Sequence, residues 1–426
     1  MEDPAPLAAH DAGADCVVVG AGIIGVSIAW RLREQGHDVL LLDRSGVAAE
    51  ASRGNAGACA YSDILPLASP GILRQAPRWL LDPLGPLSIP PRYLPRIAPW
   101  LWRFWRASRP AQVAASTRAQ ATLMTLAAQA MPRLVQAVGA QGQLHTDGNL
   151  QLYESQAEWQ ASLTGWQVRA EHGIAFEHLQ GPQAIARWQP GLSPALVAAT
   201  FVPGWQRIDD PQRLCEQIAA AFVACGGRVR RAQVEALAPV DGGVGVVTVG
   251  GQSLRARQVV VAAGAWSHLL ARSLGQRIPL ETERGYNTTL PPGAFDLRRQ
   301  LTFGGHGFVV TPIAGGVRVG GAVELGGLQA QPNHARSRAL LDKARRFLPG
   351  LKTEHGSTWM GFRPSLPDSL PIIGAASGVP RVLYAFGHGH LGLTQSAATA
   401  ELVADLAGGR APSIDLAPFS AARFSG

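Results

Sequence analysis

Apolar positions along residues 15 to 43, DCVVVGAGIIGVSIAWRLREQGHDVLLLD, change rhythm three times. Cys16 to Val19 is an uninterrupted β-branched run, the pattern of a short strand buried on both faces. Ile28, Ala29 and Leu32 then recur at helical spacing until Gly36 stops the helix, and Val39 to Leu42 form a returning strand that ends on Asp43. The same reading predicts a long alanine-rich helix over 111–138 and a strand at Leu150–Tyr153. An Asp-Pro start at 210–211 opens a helix that runs to about Ala224, followed by a Gly-Gly stop and a strand. Further strands are expected at 244–249, 254–262, 281–290, 308–312 and 317–320, and a helix at 334–347. Residues 384–404 read as strand, glycine-rich turn and helix.

The order of these elements predicts an α/β chain. A Rossmann-type dinucleotide domain, assembled from residues 13–66, 201–275 and 355–424, is interleaved with an antiparallel-sheet α+β substrate domain of residues 67–200 and 276–354. With 426 residues the chain exceeds one ordinary core, and there is no internal repeat or low-complexity tract.

The turn between the first strand and helix carries the first chemistry. Gly20, Gly22 and Gly25 spell GxGxxG, followed eighteen residues later by Asp43. Gly20 permits the sharp turn, Gly22 lets a pyrophosphate approach the backbone, and Gly25 allows close packing of helix on strand. Around Ile23 and Ile24 the helix N-terminus offers N–H groups to phosphates, and Asp43 can accept from ribose hydroxyls. The stretch by itself does not say which dinucleotide binds.

Composition narrows the class without naming a reaction. The net charge is +8, carried almost wholly by scattered arginines, with Lys343 and Lys352 the only lysines; no nucleic-acid motif accompanies them. Cys16, Cys59, Cys215 and Cys225 have no metal-ligand spacing, which implies reduced thiols and a cytoplasmic chain. The leader MEDPAPLAAHDAGA lacks the pattern of a signal peptide, is expected to be loose, and no apolar run reaches the length of a membrane span. Residues 70–110 differ from the rest: prolines break them into short pieces, and Trp79, Trp100, Trp102 and Trp105 are interleaved with seven arginines. Two readings stand here, a peripheral contact with the inner membrane or a helical subdomain that buries its tryptophans.

Several separated motifs agree with one another. GAGIIG with Asp43, SRGNAGA at 52–58, VVVAAGAWS at 259–267, ERGY at 283–286, GFRPSLPDSLPIIG at 361–374 and GHGHLGLT at 387–394 together resemble the FAD-dependent D-amino-acid oxidase and dehydrogenase family. Within it, the insert is most similar to that of bacterial D-amino-acid dehydrogenases and their D-hydroxyproline dehydrogenase relatives.

The resemblance implies FAD, with its pyrophosphate on Gly20 to Gly25 and its ribose on Asp43, where the family more often has glutamate. Ser52, Asn55, Ala56 and Gly57 would lie beside the flavin, with Ala263 and Gly264 also on the cofactor. Without a ligand, residues 48–60 read as a loop or a helix start capped by Ser52. Arg44 could meet a 2′-phosphate in an NADP enzyme, a role set against the ordinary one of a solvent-facing arginine. Arg363 matches the arginine that grips the substrate carboxylate, while Arg284 and Tyr286 are second-line substrate contacts, with a structural role for Arg284 as the other reading. Gly389, His390, Leu391, Gly392, Leu393 and Thr394 would aim backbone N–H groups and a helix dipole at the flavin's pyrimidine edge. His388 and His390 either line the pocket or are structural, and His306 is read as structural.

The reaction so implied is hydride removal from the Cα of a D-configured or achiral amino acid, giving an imine. D-Proline or cis-4-hydroxy-D-proline would leave a cyclic imine, and primary amines an α-keto acid and ammonia. A quinone or electron-transfer acceptor favours a dehydrogenase over an oxidase. The other function class is a FAD-binding subunit of a heteromeric amine or opine oxidase. FAD is expected to be noncovalent, although Cys59 lies near the flavin segment.

Overall fold

The computed structural model describes residues 13–69, 85 and 87–424. The leader and much of the Pro/Trp/Arg insert, including Trp79, lie outside the described residues.

Six strands form the first sheet, in the order Arg228–Arg231, Val39–Asp43, Cys16–Val19, Gln258–Val261, Val379–Phe386, Ile372–Ala376. All pairings are parallel except the last. Cys16–Val19 is buried throughout because Val18 packs under helices on one face while Val17 and Val19 pack against Leu237, Val244 and Val246 on the other. On one side stand the helices Ile23–Glu34, Pro211–Ala224 and Gly392–Ala407, which bury Ile28, Leu32, Ile218, Phe222, Leu402 and Val403 together with Val18 and Leu41. Asp210 caps the second of these helices, accepting from the N–H groups of Gln212 and Arg213.

The expected strand over 254–262 is two. Ser253–Ala256 closes a three-stranded antiparallel sheet with Val234–Val240 and Gly243–Thr248, and only Gln258–Val261 enters the six-stranded sheet. A continuous run of alternating and apolar residues hides this break, since each half satisfies the strand pattern separately.

A second, nine-stranded sheet contains the strands Ser357–Ser365, Glu281–Leu290, Gly316–Glu324, Phe308–Ile313, Gln300–Phe303, Asn149–Tyr153, Ala198–Val202 and Glu177–Gln180 in that order, with Leu87–Ser88 beside Gly316–Glu324. It is mainly antiparallel, but Gln300–Phe303 runs parallel to Asn149–Tyr153, and Leu87–Ser88 parallel to its neighbour. Ser357–Ser365, expected with the dinucleotide unit, is hydrogen-bonded along its whole length to Glu281–Leu290 in this second sheet. That pairing carries Arg363 across from one unit to the other. The helix Ala335–Phe347 packs on the far face, over Tyr286, Leu290 and Val319.

The long helix spans Pro110–Ala137. Before it, Leu94–Ala107 is one helix rather than several fragments: Pro95 occupies its first turn, where an N–H would be unpaired, and Pro99 is accommodated inside. Ile97 and Trp100 are buried against Leu325, with Trp100 stacked on Phe104 at 5.2 Å between centroids. Trp102 is 57 % exposed and lies 4.7 Å from Trp105. No helix among the described residues is long and apolar enough to cross a membrane.

Candidate active site: a cofactor cleft ending on the glycine face of the second sheet

Between the two sheets runs a cavity of about 680 Å³. It begins at the C-terminal ends of the first parallel strands, where Gly20, Gly22, Ile23, Ile24, Asp43 and Arg44 line it. Gly20 has φ +108°, and a Cβ there would meet the Ala262 carbonyl oxygen at 2.3 Å. At Gly25 a Cβ would meet the Gly20 carbonyl oxygen at 1.7 Å, so this glycine brings the helix against the turn and does not line the cavity. At Gly22 a Cβ would have only Ser52 Oγ nearby, at 3.2 Å, and would otherwise fill the cleft. This open backbone fits a pyrophosphate.

Two polar groups organise that entrance. Ser52 begins no helix; its Oγ accepts the Ile23 N–H at 2.9 Å. Because Gly22 has no side chain, a residue 29 positions away serves as the cap of the first helix. Asp43 Oδ2 accepts from Ala21 N at 2.8 Å, while Oδ1 accepts from Ser45 and Gly46 N–H. Each carboxylate oxygen has two acceptor positions, so Oδ2 retains one that a hydroxyl could use. Arg44 is half-buried, and its guanidinium lies 3.7 Å from the Trp266 ring centroid and pairs with Glu50 at 2.6 Å, partners with which a 2′-phosphate would compete. Glu50, Trp266 and Gln233 to Glu235 complete this end of the cleft; Trp266 belongs to the 259–267 motif, and the others are marked by none.

Farther in, the cavity passes Ser52, Asn55, Ala56, Ala263 and Gly264. Gly57 stands behind, with φ +76° and a hypothetical Cβ 2.5 Å from the Ile208 carbonyl oxygen, so it serves backbone pairing. Gly389, His390, Leu391, Gly392, Leu393 and Thr394 line the opposite wall, where a 3-10 turn leads into the buried Gly392–Ala407 helix. Thr394 Oγ1 accepts from Ala60 N at 3.1 Å and donates to the Ala58 carbonyl, tying the flavin-side segment to this helix start. The Cys59 thiol is buried in the hydrophobic core, outside the cavity lining, and burial pushes it up to about 12.

The cavity ends on one face of the second sheet. It is lined there by Gly285, Tyr286 and Asn287 of Glu281–Leu290 and by Trp359, Gly361, Phe362, Arg363 and Pro364 of Ser357–Ser365, in a register that sets Glu283 opposite Arg363, Gly285 opposite Gly361 and Asn287 opposite Trp359. Arg363 folds over Gly285, where a Cβ would be 2.4 Å from its Cζ. It lines the cavity, and its only hydrogen bond among the described residues is to the Ala322 carbonyl, 3.3 Å. Burial lowers its guanidinium from the usual value, opposed by the Glu283 carboxylate. Glu283 accepts from Ser365 Oγ at 2.6 Å, and burial raises its carboxyl against the pull of Ser365 and Arg363. Asn287 donates Nδ2–H to the Gly54 carbonyl at 2.8 Å, while its buried Oδ1 has no partner among the described residues.

Of the proposed second-line contacts, Arg284 does not line the cavity, and Tyr286 lines it but commits its hydroxyl to Glu324 and Asn333. Arg284 is fully buried, pairs with Glu324 at 2.9 Å and donates to the carbonyls of Gln331 and Ala330. Tyr286 donates to the same Glu324 carboxylate and packs below Arg336. These side chains hold the sheet to the 330–336 segment, away from Arg363.

His388 is buried with Nε2 3.0 Å from Thr399 Oγ1, and burial lowers it to about 3. His390 opens into the cavity; burial, and then the Arg363 charge, lower it to about 4. The buried His388 ring is therefore neutral at pH 7, whereas His390 is 39 % exposed with Nε2 4.0 Å from Asp63 Oδ2, so burial weighs less on it. His306 lies 3.1 Å from Glu154, on the outer part of the second sheet.

A nucleotide-binding parallel sheet, a glycine-lined cleft and an arginine-bearing second sheet define a flavoprotein oxidoreductase. The profile of the DAO family, described as FAD dependent oxidoreductase, matches residues 15–406, and the chain belongs to this family. It is 36 % identical over 424 residues to a D-amino-acid oxidase of Bradyrhizobium diazoefficiens, covering 97 % of this chain and 99 % of that one. It is 31 % identical over 415 residues to a D-amino acid dehydrogenase of Rhizobium johnstonii, covering 96 % and 99 %. The fold superimposes on glycine oxidase from Geobacillus kaustophilus with a TM-score of 0.79 at 22 % identity, covering 97 % of this chain and all of that one. The chain is thus a FAD-dependent enzyme with the fold expected from its sequence.

Proposed function

We propose that the enzyme oxidises the Cα–N bond of a D-amino acid, with Arg363 as the carboxylate anchor. The observation that carries this reading is the Arg363 guanidinium, laid over Gly285 at the cavity's end without an ion-pair partner within salt-bridge distance among the described residues. A planar fork fits a carboxylate bidentately and fixes the direction of the Cα–H bond. The names of the relatives, D-amino-acid oxidase and D-amino acid dehydrogenase, support the substrate class.

The remaining residues fit that role. Of the other arginines lining the cavity, Arg318 is engaged by Thr289 Oγ1 and the Asn55 carbonyl and Arg44 by Glu50, which supports Arg363 as the positive group that meets the carboxylate. FAD, when bound, supplies the two-electron acceptor for the Cα hydrogen, leaving as hydride. The N–H groups around Gly389 to Leu393, at the start of a buried helix, favour negative charge at that wall. With the substrate bound as its neutral amine, the nitrogen lone pair closes the C=N bond as the hydride leaves, and water then releases an α-keto acid and ammonia from a primary amine. D-Proline and cis-4-hydroxy-D-proline would stop at the cyclic imine. With Cys59 in the core, FAD is held noncovalently.

We assign the natural acceptor to a quinone or electron-transfer partner reached at a membrane surface, a choice supported by Leu94 and Trp102 exposed on the Leu94–Ala107 helix. Rapid peroxide formation in air with no added acceptor would replace it with an oxidase. The test of the main reading is anaerobic flavin bleaching by D-amino acids in wild type and Arg363→Ala. Retained affinity and turnover in the FAD-loaded variant would end the assignment. Bleaching by the isolated chain also separates a self-sufficient enzyme from an assembly subunit of a heteromeric amine or opine oxidase.

A further inference from the structure

Trp359 has no place in the carboxylate chemistry, yet it occupies the cavity beside it. It lies on the same sheet face as Arg363, two positions along the strand on the other side of Gly361. The indole folds over Gly361: a Cβ there would be 1.8 Å from Trp359 Cη2. On its other side the ring meets the flavin-side loop, and a Cβ at Gly54 would be 2.1 Å from Trp359 Cε3. Two glycines from different units therefore clamp one ring. Asn287, directly opposite Trp359, fastens the clamp by donating to the Gly54 carbonyl at 2.8 Å.

This places two side chains on neighbouring glycines. Arg363 covers Gly285, Trp359 covers Gly361, and these glycines are paired residues of adjacent antiparallel strands. Residues so paired have Cα atoms about 4.5 to 5.5 Å apart. A group whose carboxylate sits on Arg363 has its Cα one bond farther on. Its substituents consequently reach the distance of the indole edge.

We propose that Trp359 is the specificity-determining wall of the substrate pocket, limiting the side chain of the amino acid held by Arg363. The inference rests on Arg363 as carboxylate anchor. Because the ring is wedged between Gly54 and Gly361, it cannot turn aside for a larger substrate without moving the 52–57 loop. It acts as a fixed wall, not a lid.

The test uses FAD-loaded wild type, Trp359→Phe, Trp359→Ala and Arg363→Ala, measuring anaerobic flavin reduction by D-alanine, D-valine, D-leucine, D-phenylalanine and D-tryptophan. In Trp359→Ala the ratio of kcat/KM for D-phenylalanine to that for D-alanine should rise about tenfold or more, the discrimination a few methylenes command in an apolar pocket. Trp359→Phe, which keeps a ring in the clamp, should shift it less and in the same direction. An unchanged ratio with rates lowered equally for all five substrates would overturn the proposal, leaving Trp359 as packing only. Should Trp359→Ala fail to retain FAD, the ratio in Trp359→Phe decides by the same criterion. Arg363→Ala keeps the two readings apart. If it impairs every substrate while the Trp359 ratio stays flat, only the wall is wrong; if it impairs none, the carboxylate anchor itself is wrong.

Discussion

Arg284 and Arg363 stand on adjacent strands of one sheet with their side chains on opposite faces, the first sealed against Glu324 at 2.9 Å and the second open to the cavity. Their replacements should therefore separate stability from turnover. Removing one partner of a buried ion pair costs about 3 to 5 kcal/mol. Arg284→Ala is expected to lower Tm sharply, while its folded, FAD-loaded fraction keeps a KM near wild type. Arg363→Ala should leave Tm and FAD content near wild type and reduce kcat/KM at least about 30-fold, corresponding to loss of a charged pair worth 2 kcal/mol or more. Thermal melts beside flavin-reduction kinetics check both.

The glycines of the first turn divide in the same manner. Gly25→Ala puts a methyl where the Gly20 carbonyl oxygen lies 1.7 Å away, and should give little folded protein. Gly22→Ala meets only Ser52 Oγ, at 3.2 Å, and points into the cleft. It should fold but bind FAD at least about tenfold more weakly, because the methyl occupies space the pyrophosphate needs. Flavin absorbance per protein after dialysis, followed by FAD titration of the apoprotein, distinguishes these outcomes.

Acid stability should report His388. Its folded value, lowered by burial to about 3, lies below the ordinary 6.5, so between these values the unfolded chain binds a proton that the native state refuses. Stability contributed by the neutral ring is complete above pH 6.5 and falls as the pH drops toward 3, at about 1.4 kcal/mol per pH unit for one full proton. His388→Gln should be less stable at pH 7, having lost the ring's packing and its contact with Thr399, but its unfolding free energy should decline less steeply below pH 6.5. Equal slopes from urea melts at pH 7, 6, 5 and 4.5 would argue against this assignment.

The membrane reading now has a narrower test. Trp100 is 8 % exposed and packed against Ile97 and Leu325, so its replacement would disturb the core of the helical insert. Trp102, 57 % exposed, and its neighbour Trp105 are the residues to change. Trp102→Ser with Trp105→Ser should lower cosedimentation with anionic vesicles severalfold and leave flavin reduction by a D-amino acid unchanged. Undiminished cosedimentation would favour subunit contact or internal packing for this helix.

Local chemistry made much of the enzyme legible in one dimension. The run Cys16 to Val19, the glycines at 20, 22 and 25, and Asp43 define strand, turn, helix and strand because each conformation is dictated within a few residues. The family resemblance carried by GFRP marked Arg363, which the structure brings to the same cavity as the 387–394 turn although 24 residues separate Arg363 from Gly387. Tertiary pairing decided what remained. Strand alternation gives Arg284 and Arg363 opposite roles only once the register Glu283 opposite Arg363 is fixed. Ser52 capping a helix 29 residues away, Arg44 lying on Trp266, and Trp359 held between Gly54 and Gly361 are contacts between segments whose spacing along the chain carries no signal. Short-range backbone preferences thus specified the glycine turn at the cleft's entrance, while the packing of one sheet face against a distant loop specified the shape of its inner end.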